Sequence, residues 1–151
     1  MADETNNQTH TLAVHVDSLS ANEFEVLLEG ERMQGVFRVS GLLPFKLEVK
    51  PSLTKLVREP FKLSKMVQRD PLLPFNRWLH DTFASREDIE RPTRTLEIVA
   101  LDDGSESRRW TVREAWISEI AYSDFNTGSS DLIEETVTIY YDDIEVTWRT
   151  P

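Results

Sequence analysis

Apolar and polar residues alternate along most of the chain, which is the pattern of β-strands with one buried face. In residues 108–116 the apolar residues change parity, from Trp110 and Val112 to Ala115 and Ile117. This change predicts a β-bulge near Glu114 that gives Trp116 a new direction. The preceding segment 96–101 and the turn 102–104 predict that 108–116 is the second arm of a hairpin.

Other segments show the same alternation and predict further strands, at 12–16, 24–28, 36–39, 45–49, 61–65 and 133–141. The turn 29–32 predicts that 24–28 and 36–39 pair as a hairpin. In 133–141 the odd-numbered positions are mostly apolar, and the parity changes again at Asp142–Asp143. A second turn or bulge is expected there, before an apolar set formed by Ile144, Val146 and Trp148.

One segment has helical rather than strand periodicity. Asp70 can cap a helix, and Pro71 would occupy its first position, where the missing N–H is harmless. The buried stripe is predicted to contain Leu72, Phe75, Trp78 and Leu79. Prolines at both ends of residues 51–60 predict a projecting loop or a twisted hairpin.

These elements predict a mainly β protein, an antiparallel β-sandwich or distorted barrel with one packed α-helix. Residues 1–22 are expected to be a flexible or weakly ordered leader, and residues 23–151 a single domain. The chain has neither an apolar run long enough to span a membrane nor the pattern of a secretory signal, so we expect no membrane span.

The charge of the chain is unevenly distributed. The formal net charge of −10 argues against specific nucleic-acid binding, which requires lysines and arginines to neutralise phosphates. Residues 46–69 contain seven basic and two acidic residues, a net +5, whereas 119–151 contain eight acidic residues and one arginine, a net −7. Such polarity is common on solvated surfaces, and it also suits head-to-tail association between copies.

Reactive motifs are scarce in the sequence. It contains no cysteine, no glycine-rich phosphate loop and no pair of histidines at metal-binding spacing, so we predict no catalytic residue, no metal and no cofactor. Four tryptophans remain to be explained, and they are predicted to anchor the core or an interface: Trp78, Trp110, Trp116 and Trp148. A different interpretation is that they line the pocket of a monomeric ligand-binding β-barrel.

Several motifs together resemble a known family. They are a strand that ends at Gly30, the Val-Ser-Gly-Leu motif at 39–42, a helix with Trp78, and Arg-Trp-Thr-Val-Arg-Glu-Ala-Trp at 109–116. In this order they resemble the tail tube proteins of contractile phages and of phage-like extracellular contractile injection systems. The resemblance extends from about Phe24 to Trp148 and also includes the long alternating strand near the C-terminus.

This resemblance implies a structural subunit that forms hexameric rings, which stack into a hollow tube for DNA or protein cargo. It implies that the partners are other copies of the chain, sheath and baseplate proteins, and cargo in the lumen. It also implies assembly in the bacterial cytoplasm, followed by incorporation into a virion tail or an injection particle. The family usually has proline where Ile117 stands and glycines in the 51–60 loop, so a tube-initiator or baseplate adaptor ring is an alternative.

Two hypotheses assign residues to this function. The polar side of the strand 133–141, with Glu134, Thr136 and Thr138, is expected to face the lumen as an acidic, hydroxyl-rich surface that repels acidic cargo. Charge reversal at Glu134 and Glu135 is then expected to slow cargo without preventing assembly. The basic region is expected to stack on the acidic C-terminal surface of the next ring, through Lys50, Lys55, Arg58 and Lys62.

Overall fold

The computed structural model describes residues 17–149; the predicted strand 12–16 and most of the predicted leader lie outside this part. Within these residues, ten strands and one helix follow in chain order: β1 Phe24–Leu28, β2 Glu31–Arg32, β3 Val36–Ser40, β4 Leu47–Lys50, β5 Leu53–Leu56, β6 Phe61–Met66, α1 Pro74–Ser85, β7 Arg94–Asp102, β8 Ser105–Tyr122, β9 Glu134–Tyr140 and β10 Asp143–Trp148. The mainly β, antiparallel fold class is confirmed. Within the described residues, no helix is long and apolar enough to cross a membrane.

The long strand β8 divides the main sheet into two leaves. The first leaf has the order β2-β1-β7-β8-β10 and uses the N-terminal part of β8, up to Ala115. The second leaf has the order β8-β9-β6-β3 and uses the remaining part of β8, residues 116–122. Within the described residues, strands β4 and β5 pair only with each other and form a separate two-stranded hairpin. A hairpin was one of the two forms predicted for residues 51–60, but it spans 47–56 and includes part of the strand predicted at 45–49.

The two leaves meet at the predicted bulge in β8. Glu114 has a positive φ of 53°, and the register between β7 and β8 shifts by one residue at this point. The apolar side chains on the two sides of the shift, Val112 and Ala115, both enter the core. The bulge near Glu114 is therefore confirmed, because an extra residue restores the inward direction after the strand bends.

Strands β9 and β10 pair with the same edge of β8, and the break between them lies beside the bulge in β8. Tyr140 lies opposite Trp116, and Asp143 lies opposite Arg113, so one register continues through the break. The predicted change of parity at residues 142–143 is confirmed, since Ile139 before it and Ile144 after it are both buried.

Two tight hairpins are closed by pairs of residues with positive φ. Asp103 and Gly104 join β7 to β8, with φ of 49° and 81°, which is the pattern of a type I′ turn. Glu29 and Gly30 join β1 to β2 in the same way. The predicted pairing of 24–28 with 36–39 is wrong: β1 pairs with β2 and β7, whereas β3 pairs with β6. The two-residue strand β2 ends before Gly35, whose φ of 81° redirects the chain to the second leaf.

The helix begins later than the sequence predicts. Pro74, and not Pro71, lies in its first turn, and Leu72 is exposed instead of buried. The carboxylate of Asp70 accepts a hydrogen bond from the Leu72 N–H at 2.9 Å and so stabilises a turn before the helix. The rest of the predicted stripe is correct, since the residues that α1 buries are Phe75, Trp78 and Leu79.

One apolar core lies between the leaves and under the helix, and it contains Val26 and Leu28 of β1 together with Leu63 of β6 and Trp78 of α1. A buried ion pair lies beside this core. Lys65 is 0% and Glu135 2% exposed; their charged groups are 3.2 Å apart, and the Lys65 ammonium lies 4.8 Å from the centre of the Phe75 ring.

Glu135 was expected to tolerate charge reversal, and this expectation is wrong because Glu135 is buried and faces the core. Burial lowers the pKa of Lys65, and the nearby negative charge of Glu135 opposes this shift. Partial desolvation raises the pKa of Tyr122, and the charge and hydrogen bond of Glu135, which lies opposite it, act in the same direction.

Candidate assembly surfaces

The side of the second leaf that points away from the core is polar; we call it the polar face. The polar residues that register and burial place on it are Arg38, Ser40, Lys62, Ser64, Glu119, Glu134, Thr136 and Thr138. The three residues predicted for the lumen, Glu134, Thr136 and Thr138, lie together on this face. Lys62, predicted as part of the stacking loop, lies on β6 directly opposite Thr138 and not in the hairpin.

Hydroxyl groups connect the strands across the polar face. The hydroxyl oxygens of Ser64 and Thr136 are 2.8 Å apart, and the Thr138 hydroxyl donates to a carboxylate oxygen of Glu119 at 3.1 Å. The face also balances two basic residues, Arg38 and Lys62, against the two acidic residues Glu119 and Glu134. It is therefore hydroxyl-rich and mixed in charge, rather than acidic as the sequence suggested.

Both outer edges of the second leaf lack a strand partner within residues 17–149. β3 pairs only with β6, and residues 116–122 of β8 pair only with β9. An unpaired strand edge presents backbone N–H and C=O groups that another chain can complete. The second leaf can therefore extend through copies of itself on both sides.

The β4–β5 hairpin projects from the end of the second leaf where β3 ends and β6 begins. Its turn lies at residues 51–52, and apolar side chains on it are exposed, including Val49 at 73%. Lys50 and Lys55 add positive charge on the opposite side, where Lys50 lies 3.0 Å from Glu48. An isolated two-stranded hairpin is marginal in water, and this one leaves apolar side chains exposed.

The loop 123–133 lies at the opposite end of the second leaf; we call it the acidic loop. It carries Asp124 and Asp131 and leads into Glu134, with no basic residue between them. Phe125 is 76% and Leu132 70% exposed, and both line a pocket of about 520 Å³. The acidic loop thus combines exposed apolar side chains with negative charge.

The four tryptophans occupy different environments. Trp78 is fully buried, and its indole N–H donates to the carbonyl of Pro92 at 2.8 Å. Trp110 packs at the border of the core. Trp116 stacks on Tyr140 with ring centres 5.0 Å apart, and Trp148 is 67% exposed with the Arg108 guanidinium 5.3 Å from its ring centre.

The outer side of the first leaf carries a network of charged residues. Arg109 forms ion pairs with Glu97 and Glu106, and Arg149 donates to Glu106 at 2.9 Å. The hydrogen bonds from Arg109, and then those from Arg149, lower the pKa of Glu106. No group of three or more potential metal ligands occurs in the described residues.

Solved structures with the same fold include chains of a sheath-tube complex and of a tube terminating cap. A chain of the sheath-tube complex of PVC, an extracellular contractile injection system, matches with a TM-score of 0.69 and 16% identity, over 93% of this chain and 98% of that chain. A chain of the anti-feeding prophage cap, a tube terminating cap, matches with a TM-score of 0.69 and 15% identity, over 87% and 92%. Hcp1 from Flavobacterium johnsoniae matches with a TM-score of 0.54 and 14% identity, over 84% and 96%.

The fold is therefore that of tail tube proteins. Residues 20–145 match the family of the T4-like virus tail tube protein gp19, and the chain belongs to this family. It is a structural tail tube protein, and the family match favours neither the adaptor ring nor the ligand-binding barrel. No curated protein sequence matches the chain.

Proposed function

We propose that six copies of this chain form a ring, and that rings stack into a hollow tube that conducts DNA or protein cargo. The observation that carries the proposal is the second leaf, which has a polar face and two unpaired edges. Pairing of β3 in one copy with the 116–122 edge of the next would make one continuous sheet around the ring. Closing a sheet in this way removes its exposed edges.

In this arrangement the polar face lines the bore, with Glu134, Thr136 and Thr138 in contact with water. A hydroxyl-rich surface with balanced charge has no strong attraction for either acidic or basic cargo. The core side of the same strands keeps each subunit folded, because it packs against the first leaf and the helix. The bore is thus built from the face of the sheet that the subunit itself leaves uncovered.

The exposed hairpin provides the contact between rings, and Lys50, Lys55 and Arg58 contribute positive charge to it. Sheath and baseplate proteins are the further partners, in keeping with the sheath-tube and baseplate assemblies that contain similar chains. Assembly takes place in the bacterial cytoplasm, and the finished tube becomes part of a virion tail or injection particle. Catalysis has no part in this function, which is mechanical.

Electron microscopy and mass measurement of the purified protein test the proposal directly. Light scattering after size-exclusion chromatography should give the mass of six chains, and negative-stain images should show rings or tubes with a central hole. A single-chain mass that persists at high protein concentration and in the presence of sheath and baseplate components would contradict it.

A further inference from the structure

We propose that Ile89 of one copy inserts into an apolar groove of the neighbouring copy in the same ring. This inference rests on the proposed ring, and it adds a contact between side chains to the pairing of strand edges. The residues that join α1 to β7, 86–93, are called the connector. The groove lies between β3 and the first leaf.

The connector carries one apolar side chain in charged surroundings. From residue 86 to residue 91 every residue except Ile89 is charged. Ile89 is 100% exposed, so no part of its own described subunit covers it. Removing an isoleucine side chain from water is favourable, and a second copy can supply the apolar surface that this subunit does not.

Hydrogen bonds hold the connector in a defined conformation. Arg86, at the end of α1, has a φ of 46° and turns the chain away from the helix. The Asp88 N–H donates to the carbonyl of Ser85 at 2.9 Å, and the Arg91 guanidinium donates to the carbonyl of Arg86. A side chain that is presented on such a fixed segment loses little conformational freedom when it binds.

The groove offers apolar surface and space to such a side chain. Its volume is about 410 Å³, and its larger apolar lining residues are Leu19, Phe24, Phe37, Leu42, Ile98 and Trp110. Phe24, Leu42 and Trp110 pack against the core, so the floor of the groove belongs to the folded subunit. Leu19 and Phe37 are exposed. The groove can therefore cover an apolar side chain from a neighbour.

Strand directions bring the groove and the connector together in a closed ring. β8, β9, β6 and β3 are antiparallel in succession, so β3 runs opposite to residues 116–122. Copies in a ring are related by rotation about its axis, so corresponding strands run the same way. The pairing of β3 with the 116–122 edge of the neighbour is therefore antiparallel. It places the end of β3 beside the start of that edge.

Both sides of the contact lie at this junction. Leu42 follows Ser40, the last residue of β3, by two positions. The guanidinium carbon of Arg91 lies 5.7 Å from the centre of the Trp116 ring, so the connector borders the start of the edge. Two residues of chain span at most about 7 Å, which keeps Ile89 close to the same junction.

Disulfide cross-linking tests the contact, because the chain has no cysteine of its own. Ile89→Cys/Leu42→Cys and Ile89→Cys/Leu19→Cys should form linked chains when assembled rings are oxidised. On a denaturing gel the ladder of linked chains should end at six, because a contact within a closed ring joins each copy only to its two neighbours. The matched control is Leu72→Cys/Leu42→Cys, since Leu72 is exposed but precedes α1, and it should remain single chains.

The outcomes separate this contact from the proposed function. Six-chain rings in which neither Ile89→Cys variant forms linked chains would overturn the docking and leave the tube function intact. A ladder that continues beyond six would place the contact between rings, and equal linking in the Leu72→Cys control would show no preference for Ile89; either result would also overturn the docking. A single-chain mass of the unaltered protein would instead contradict the proposed function.

A polar substitution provides an independent measurement. Ile89→Ser should raise the protein concentration at which half of the rings dissociate by about tenfold or more, because each contact loses a buried apolar side chain. Ile89→Met is the control and should leave this concentration nearly unchanged, since it keeps an apolar side chain of similar volume. Urea unfolding of the dissociated subunits should be the same for all three proteins, because residue 89 is exposed there. Equal dissociation of Ile89→Ser rings and unaltered rings would count against the docking.

Discussion

One residue of the first leaf, Glu106, makes the stability of the protein depend on pH. It accepts hydrogen bonds from Arg109 and Arg149, which join a position near the start of β8 to the residue that follows β10. Its side chain is only partly exposed, so these bonds are less screened than those of a free surface pair. They hold the two strands together near the C-terminal end of the described chain.

Glu106→Gln should remove part of the acid sensitivity of the protein. Because the pKa of Glu106 is lowered in the folded state, its contribution to stability is complete above the ordinary value of 4.5. It is lost as the pH falls through the lower value in the folded protein. We expect the substitution to reduce the free energy of unfolding by about 1 kcal/mol at pH 7 and by less at pH 3.

Urea unfolding at several pH values, followed by tryptophan fluorescence, measures this effect. Glu31→Gln, at an exposed glutamate of β2, is the control. A cost of Glu106→Gln that does not change between pH 7 and pH 3 would contradict the pKa argument.

At the scale of elements, the pairing of β6 with β9 depends on the buried ion pair. Lys65 lies directly opposite Glu135 in the register. A slip of two residues would keep every side chain on its own face, but it would place Lys65 opposite Ile133 or Val137. The slipped arrangement would bury two charges without partners, so the pair favours a single register.

Substitution of Lys65 alone, or of both partners, measures how much this ion pair contributes to the free energy of unfolding. Lys65→Met alone should cost about 3–5 kcal/mol in the free energy of unfolding, because it leaves a buried carboxylate without its partner. The double variant Lys65→Met/Glu135→Leu should recover most of this loss, since apolar residues of similar volume fill the same space. A double variant as unstable as the single one, by urea unfolding, would show that the pair is not the cause.

The sequence predicted the positions of strands and turns better than it predicted which strands pair with each other. The bulge near Glu114 and the turn at Asp103–Gly104 followed from local parity and turn chemistry, and both are present. The partner of β3 could not be read locally, because Gly35 sends the chain to another leaf and the pairing with β6 is long-range. The helix start was wrong because two prolines, Pro71 and Pro74, both fit the first turn.

The candidate surfaces were predictable in composition but not in position. Alternation grouped Glu134, Thr136 and Thr138 on one face, because a strand has a period of two. Lys62 was grouped with the hairpin by its place in the sequence, although the register puts it beside Thr138. The role of Glu135 was missed because its partner, Lys65, lies 70 positions away in the sequence. A charged residue among the inward-facing positions of a strand gives no local sign of such a partner.

For the whole molecule, the balance of charge on the polar face decides how cargo passes. Glu134→Lys leaves three basic residues against one acidic residue on this face. Repeated in every subunit, the excess positive charge should attract DNA or acidic protein. We therefore expect Glu134→Lys tubes to form normally but to retain acidic cargo.

Binding of a fluorescent acidic peptide to assembled tubes checks this expectation, with Glu31→Lys as the control away from the polar face. Retention should weaken as salt increases, because the attraction is electrostatic. Failure of the Glu134→Lys protein to assemble would instead place Glu134 in a contact between subunits.

The placement of the hairpin and the acidic loop at opposite ends gives a stacked polymer a direction. One terminus would present only acidic loops, and the other only hairpins. A factor that starts growth and a factor that stops it would then have to be chemically different proteins. A basic protein would suit the first terminus, and an acidic protein the second.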